Sequence, residues 1–411
     1  MSPNNMTDHS MDRTRAVVLG GGYAGALAAN RLQQNPSIDV TVVNPRAEFV
    51  HRVRLHEMVA RSGEATANLA GLLGDGIHLI VDTAEKVNPA ERTVELASGA
   101  EISYDYLIYA VGSTGKVPLS VPGAAQFSYP IGELEQAERL RSTLDETPPK
   151  ARICVVGGGL TGIEAAAELA EQRPDVTVVL LCGGVLGPTL GERARASTRR
   201  QLERLNVDVQ DTAIVAKVES DKVCLADGTV VPATVTIWTA GFGVPTLAAD
   251  SGLRTDPMGR LLTDEALISL DDPRIVAAGD SAAPSGQSLR MSCQAAMPLA
   301  ARAAGTVLDL VAGREPVART QAFVGTNISI GRRYGTIQLS KKNDTPRGLY
   351  IGGKVAATIK EFVCTKVIDQ IEKEGRRPGS YRWPGAKKQT VRANTPSGSS
   401  DLIPTLRNDG N

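Results

Sequence analysis

The chain has 411 residues, 42% of them apolar, and its 45 basic side chains balance 45 acidic ones. That length supports two or three domains and more than one core. No run approaches 18 consecutive apolar residues, which argues against a spanning helix, and the polar start Met1 to Thr14 has no apolar stretch of the kind a secretory signal needs. The five cysteines (Cys154, Cys182, Cys224, Cys293 and Cys364) are scattered, which speaks against a disulfide scaffold or a metal centre and for a reducing compartment. Charge is unevenly spread: Gly331 to Asn411 holds 16 basic and 7 acidic residues. Two readings fit this asymmetry, an end that meets an acidic partner or an anionic lipid surface, or a merely solvated basic face.

Residues 1–14 read as a disordered start. Arg15 to Leu19 is an apolar run followed by Gly20-Gly21-Gly22-Tyr23-Ala24-Gly25, an alanine-rich helix over 24–34 and a second strand, Asp39 to Asn44. This is a βαβ unit with a dinucleotide fingerprint: the first glycine makes the turn, the second admits a pyrophosphate, and the third lets helix and strand pack closely. The second strand ends in Asn44, where an acid usually meets the adenosine ribose. Tyr104 to Ser113 reads as a strand ending in a glycine turn, with Ala110 and Gly112 in it. A Pro-, Gly- and Ser-rich loop, 113–130, then reads as the crossing into a second domain.

That domain repeats the plan. Arg152 to Val156 leads into Gly157-Gly158-Gly159-Leu160-Thr161-Gly162, helix 161–172 and strand 176–181. Helix 192–205 follows, then strand 207–210, a hairpin at Asp227-Gly228, and strand 234–238 ending in Thr239-Ala240-Gly241-Phe242 as the return crossing. Arg274 to Asp280 is a strand ending in Gly279 and an acid, and 295–312 is a small-residue helix. Segments 326–331, 334–340 and 348–352 are strand-like. Residues 354–373 form an amphipathic helix with Val355, Ile359, Phe362, Val363, Val367, Ile368 and Ile371 near one face. From Gly375 the composition predicts a largely disordered tail. The fold class expected is α/β, two Rossmann-like three-layer dinucleotide-binding domains plus a small C-terminal α+β part. The boundaries read as 15–116 with 243–318, 117–242 inserted between them, 319–388, and a disordered tail over 389–411. Two dinucleotide cradles in one chain point to electron transfer between a nicotinamide and a flavin.

The order of motifs resembles the pyridine nucleotide-disulfide oxidoreductase-like flavoproteins over about residues 15–315, and within them the type II NADH dehydrogenases, which carry no redox disulfide. The stretches Phe49 to Gly63 and Gly159 to Leu169, and the sheet-plus-helix end, carry that similarity. The resemblance implies that Gly20, Gly22 and Gly25, with Tyr23 and Ala24, hold FAD, with Asn44 at its ribose and Asp280, after Gly279, at its ribityl part. It implies that Gly157, Gly159 and Gly162, with Leu160 and Thr161, hold NADH or NADPH, with NADH favoured. Gln294 and Ala295 would lie beside the flavin ring and a quinone site, although Cys293, Met297 and Pro298 depart from the family pattern. Gly241 belongs to the return turn.

Glu164 is the candidate for proton delivery or acceptance at the acceptor; a first-turn carboxylate favoured by the helix dipole is its plain alternative. Gln294 is the second candidate catalytic residue. His51, Arg52, Arg54 and His56 cluster beyond the ribose strand; they contact flavin or an anionic substrate, with Arg54 counted among the cofactor ligands, or form a solvated loop. Cys293 alone is expected near the flavin, which argues against a disulfide reductase. The implied activity is NAD(P)H dehydrogenation with a quinone-like acceptor. The alternatives are a soluble FAD-dependent oxidoreductase or monooxygenase of a specialised metabolite, and a slow-turnover redox sensor. No metal and no nucleic acid are expected. Peripheral contact with the inner face of a membrane through the basic end, a cytoplasmic location and a homodimer complete the expectations.

Overall fold

Two five-stranded parallel sheets frame the computed structural model, which describes residues 13–285, 289–318 and 321–383. The disorder expected for 1–12 and 389–411 falls outside the described residues. Thr14, expected in the disordered start, instead opens the first strand.

The first sheet runs Ile275–Ala277, Tyr106–Tyr109, Thr14–Leu19, Ile38–Asn44, His78–Val81. Thr14–Leu19 is apolar on both faces because both faces are covered. Val18 packs with the helices Tyr23–Leu32 and Cys293–Val311. Its neighbours Val17 and Leu19 point the other way, onto an antiparallel layer of Ala84–Asn88, Thr93–Leu96 and Glu101–Ser103. The sequence reading missed that layer.

The second sheet runs Ser128–Pro130, Val235–Trp238, Arg152–Val156, Thr177–Leu181, Asp208–Gln210. Ile153 and Val155 face the helices Leu160–Gln172 and Leu134–Glu146, the latter also unforeseen. Cys154 and Val156 face the hairpin layer Val215–Val218, Lys222–Leu225 and Val230–Pro232. The two halves are thus built alike. Between them Thr114–Gly115 pairs antiparallel with Phe242–Gly243, so the outgoing and returning connections run side by side.

A three-stranded antiparallel sheet (Gly325–Ile330, Tyr334–Ser340, Pro346–Gly352) and the helix Gly353–Arg376 close the molecule. The helix buries Ala356, Lys360, Cys364, Val367 and Ile371, one stripe at helical spacing. Val355 and Phe362 are 61% and 60% exposed. This corrects the expected single apolar face: Val367 and Ile371 belong to the core side, and Val355 and Phe362 face outward. The expected tail is corrected as well. Arg31 donates to the Tyr381 carbonyl (2.6 Å) and the Trp383 indole to that of Ala322 (3.0 Å), so the chain is folded up to Trp383.

Candidate functional site

A cleft of about 750 Å³ lies where the two parallel sheets, the C-terminal sheet and the last helix meet. Both glycine loops open into it. In the first, Gly20 has φ +98°, and a Cβ there would stand 2.4 Å from the Ala110 carbonyl oxygen; a Cβ on Gly25 would stand 1.7 Å from that of Gly20. These two positions are glycine because backbone packs on backbone. Gly22 is different: nothing lies within 4 Å of its Cβ position. The second loop follows the same logic. Gly157 (φ +124°) would meet Thr239 at 2.5 Å, Gly162 would meet the Gly157 carbonyl oxygen at 1.9 Å, and Gly159 faces open space. Neither helix has a side-chain cap, so both present uncapped first-turn N–H groups. Each loop therefore has a closed side that sets its shape and an open side that no protein atom fills.

Around the first loop the cleft wall is polar and ordered. Asp280 accepts from the Ser113 hydroxyl (2.7 Å) and the Ser292 N–H (3.1 Å), and Arg52 donates to the Ser113 carbonyl and hydroxyl (2.5 and 3.1 Å). Asn44 accepts from the Gly21 N–H (2.8 Å) and donates to the Arg46 carbonyl (2.7 Å), so its amide also braces the loop. The Tyr23 hydroxyl lies 2.8 Å from His51 Nδ1. Burial, and then the Arg54 charge, push the His51 imidazole down to about 4. Ala110, Gly112 and Gly279 also line the cleft, with φ +73° at Gly112 and +74° at Gly279.

Six expected ligands do not line the cleft: Gly25, Gly157 and Gly162, on the closed sides of the loops, and Arg54, Ala295 and Gly241. Arg54 is off the cleft wall, held by Glu57 (2.7 Å) and Glu361 (2.5 Å); Arg52, two residues earlier, takes the wall. Ala295 is buried in the first turn of its helix, and Gln294 and Ala296 line the cleft on either side of it. Gly241 (φ +95°) shapes the return turn without lining the cleft. Cys364 is a further correction to the cysteine reading: it lines the same cleft as Cys293. Burial raises both thiols, Cys293 to about 11, so neither is a thiolate at neutral pH.

Glu164 stands on the wall in a group that joins three elements. Lys360 Nζ lies 2.8 Å from its Oε1, and Ser329 donates to the same atom through its N–H (3.1 Å) and hydroxyl (3.2 Å). His56 Nε2 is 3.1 Å from the Ser329 hydroxyl. Burial opposes ionisation of Glu164, but Lys360, His56 and the hydrogen bonds outweigh it and hold the carboxyl below its usual range. Burial likewise works against the Lys360 ammonium, and Glu164 more than compensates. At neutral pH the mobile proton of the pair therefore sits on Lys360, and Glu164 is its counter-ion. Sequence reasoning missed Lys360 and Ser329; the only available signal was a lysine inside an apolar helical stripe.

The model of the pyridine nucleotide-disulphide oxidoreductase family matches residues 14–301. The chain belongs to this family. An NADH dehydrogenase-like protein of Mycobacterium tuberculosis is 31% identical over 324 residues, spanning 72% of this chain and 80% of the relative. A type II NADH:quinone oxidoreductase of Haemophilus influenzae is 25% identical over 365 residues, with 72% and 80% covered. Among solved structures, NDH2 from Plasmodium falciparum in complex with NADH superposes with a TM-score of 0.75 at 16% identity, over 89% of this chain and 97% of that one. The sulfide:quinone oxidoreductase of Aquifex aeolicus gives 0.74 at 20%, over 88% and 92%. These likenesses establish the shared fold. As a member of this family the chain is a flavoprotein oxidoreductase that uses FAD and a nicotinamide nucleotide.

Proposed function

We propose that the chain is an NAD(P)H dehydrogenase that transfers a hydride from the nicotinamide to FAD and then two electrons to a quinone-like acceptor, with NADH the preferred donor. The observation that carries this reading is that two open glycine cradles share one cleft with the Lys360–Glu164 pair on its wall. Gly20, Gly22, Asn44, Arg52, Ser113 and Asp280 fit FAD: an open loop at a helix start takes the pyrophosphate, and a carboxylate on the wall accepts from the ribityl hydroxyls. Gly159, Leu160 and Thr161 fit the nicotinamide nucleotide. Bound together, the two groups supply hydride and electron transfer.

The chain's own part is to position and to manage protons. The glycine loops fix the phosphates, the apolar side chains Val363, Cys364 and Val367 limit water at the cleft, and Lys360 holds a proton for the acceptor. The same reading takes the outward Val355 and Phe362, on a helix of the basic C-terminal region, as a peripheral contact with an anionic membrane. Among the described residues no helix is long and apolar enough to cross one.

Stopped-flow reduction with NADH and with NADPH, followed by reoxidation with a panel of quinones and with oxygen, tests the assignment. Rapid bleaching by NADH and rapid recolouring by quinones are expected. A protein that bleaches but recolours no faster with quinones than with oxygen has another acceptor.

A further inference from the structure

One turn beyond Glu164 on the helix Leu160–Gln172 lies Glu168, wholly buried. Neither of its carboxylate oxygens has a hydrogen-bond partner. Its neighbours are already committed. Ser62 donates to the Glu57 carbonyl (3.3 Å), and Glu57 is held by Arg54 and Arg332 (both 2.7 Å). Arg332 also binds Glu361 (2.8 Å) and gives its N–H to Glu171 (2.5 Å), while Arg333 Nε lies 3.9 Å from Glu171. Toward the cleft stand Glu164, Lys360, Ser329 and His56, and burial leaves His56 uncharged at neutral pH.

A buried carboxylate with no donor is expensive to ionise, and an orphaned polar group of this kind calls for a role. Burial, with the like charges of Glu57 and Glu171 and against Ser62 and Arg332, pushes this carboxyl up to about 7. It is thus an acid that still holds its proton about half the time at neutral pH, beside a carboxylate that does not.

We propose that Glu168 is a proton-holding residue that restocks the Glu164–Lys360 pair each time the acceptor takes up a proton. The inference rests on the acceptor reading above. Transfer of a hydride to a quinone consumes one further proton: NAD(P)H plus quinone plus a proton gives NAD(P)⁺ plus quinol. That proton leaves the Lys360 ammonium as an O–H bond forms on the acceptor. The Glu168 O–H then breaks, and its proton passes by way of Glu164 to the Lys360 amine. Residues four apart share a helix face, so Glu168 has Glu164 on one side, to which the proton passes, and Ser62, Glu57 and Glu171 on the other, from which it is replaced. Glu168 touches neither nucleotide; it acts through Glu164.

The test compares wild type, E168Q and E168D, each loaded with FAD. Single-turnover bleaching by NADH should stay within about twofold in E168Q, recolouring by menadione should slow roughly tenfold, and its inflection near pH 7 should vanish. E168D, which keeps the acid, should recover part of the rate. A second readout needs no turnover: an infrared titration of the wild type should show a protonated-carboxyl C=O band lost around pH 7 and missing in E168Q. If the band is absent from the wild type, or E168Q recolours with the rate and pH profile of the wild type, the proposal is overturned. A wild type that shows the band yet never passes electrons to quinones overturns the acceptor reading, and the relay role with it.

Discussion

Lys360 and Glu164 meet at 2.8 Å across 196 residues of sequence, an ammonium on the last helix against a carboxylate on the second glycine-loop helix. Their side chains are 11% and 10% exposed. A pair buried this deeply adds modestly to stability when whole, but removing one member strands the other charge, a loss of about 3–5 kcal/mol.

Lys360→Met should therefore lower the melting temperature in a pH-dependent way. In the wild type, Glu164 is held below the usual carboxylate range, so its contribution is complete above the unfolded value and fades only as pH falls through the depressed folded value. Without Lys360, burial dominates and the sign reverses: the folded carboxyl rises, and stability declines as pH climbs past about 4.3. Melting curves from pH 4 to 8 should show the deficit of the variant widening with pH. A deficit that stays constant would mean that Lys360 contributes packing alone.

The open glycines should separate binding from folding. At Gly22 and Gly159 an added methyl meets no protein atom, so Gly22→Ala and Gly159→Ala should leave apoprotein melting within about 1 kcal/mol. Gly22→Ala should lower flavin affinity at least tenfold, about 1.4 kcal/mol, and Gly159→Ala should do the same for the nicotinamide nucleotide while retaining flavin. Gly20→Ala, which combines positive φ with a backbone clash, and Gly157→Ala, which combines it with a clash against the Thr239 hydroxyl, should instead lose stability. Flavin absorbance after desalting and nucleotide titration distinguish the four.

Both cradles were legible because each is a local device, in which strand, turn and helix lie within some twenty residues and the glycine spacing carries the geometry. The place of Asp280 on the cleft wall was legible for a similar reason, as an acid ending an apolar strand. The choice of Arg54 over Arg52 failed because a tight turn aims residues two apart in different directions, and sequence does not tell which faces the cleft. Lys360, Ser329 and Glu168 were out of reach because their meaning comes from packing between elements far apart in the chain. The stretch Gly375 to Trp383 reads as a tail by composition, yet it is fastened by a carboxylate one residue before it.

Acid should loosen the first cradle through His51. Its imidazole is lowered from 6.5 to about 4, so the folded state binds its proton less readily than the unfolded chain. The contribution is full above about 6.5 and is lost as pH falls toward 4, roughly 3 kcal/mol over that window. His51→Gln should remove this slope, which denaturant titrations between pH 7 and 4 would reveal. An unchanged slope would assign the acid sensitivity to other groups.

Glu374 is the last fastening, and it is wholly buried. Its carboxylate takes Arg31 Nε (2.7 Å), the Gly379 and Tyr381 N–H groups (2.8 and 2.5 Å) and the Ser380 hydroxyl (3.1 Å), tying the end of the last helix to the helix of the first glycine loop. Burial opposes the charge, but Arg31 and these hydrogen bonds hold the carboxyl below its usual range. Glu374→Ala takes the carboxylate from the largely buried Arg31 and frees three further donors, so the stability loss should approach about 3–5 kcal/mol. The local consequence is more diagnostic: Arg376 and Arg382 should become early sites of trypsin cleavage, while the glycine loops keep their flavin until global unfolding. Cleavage at these sites as slow as in wild type would mean that Tyr381 and Trp383 secure the segment without Glu374.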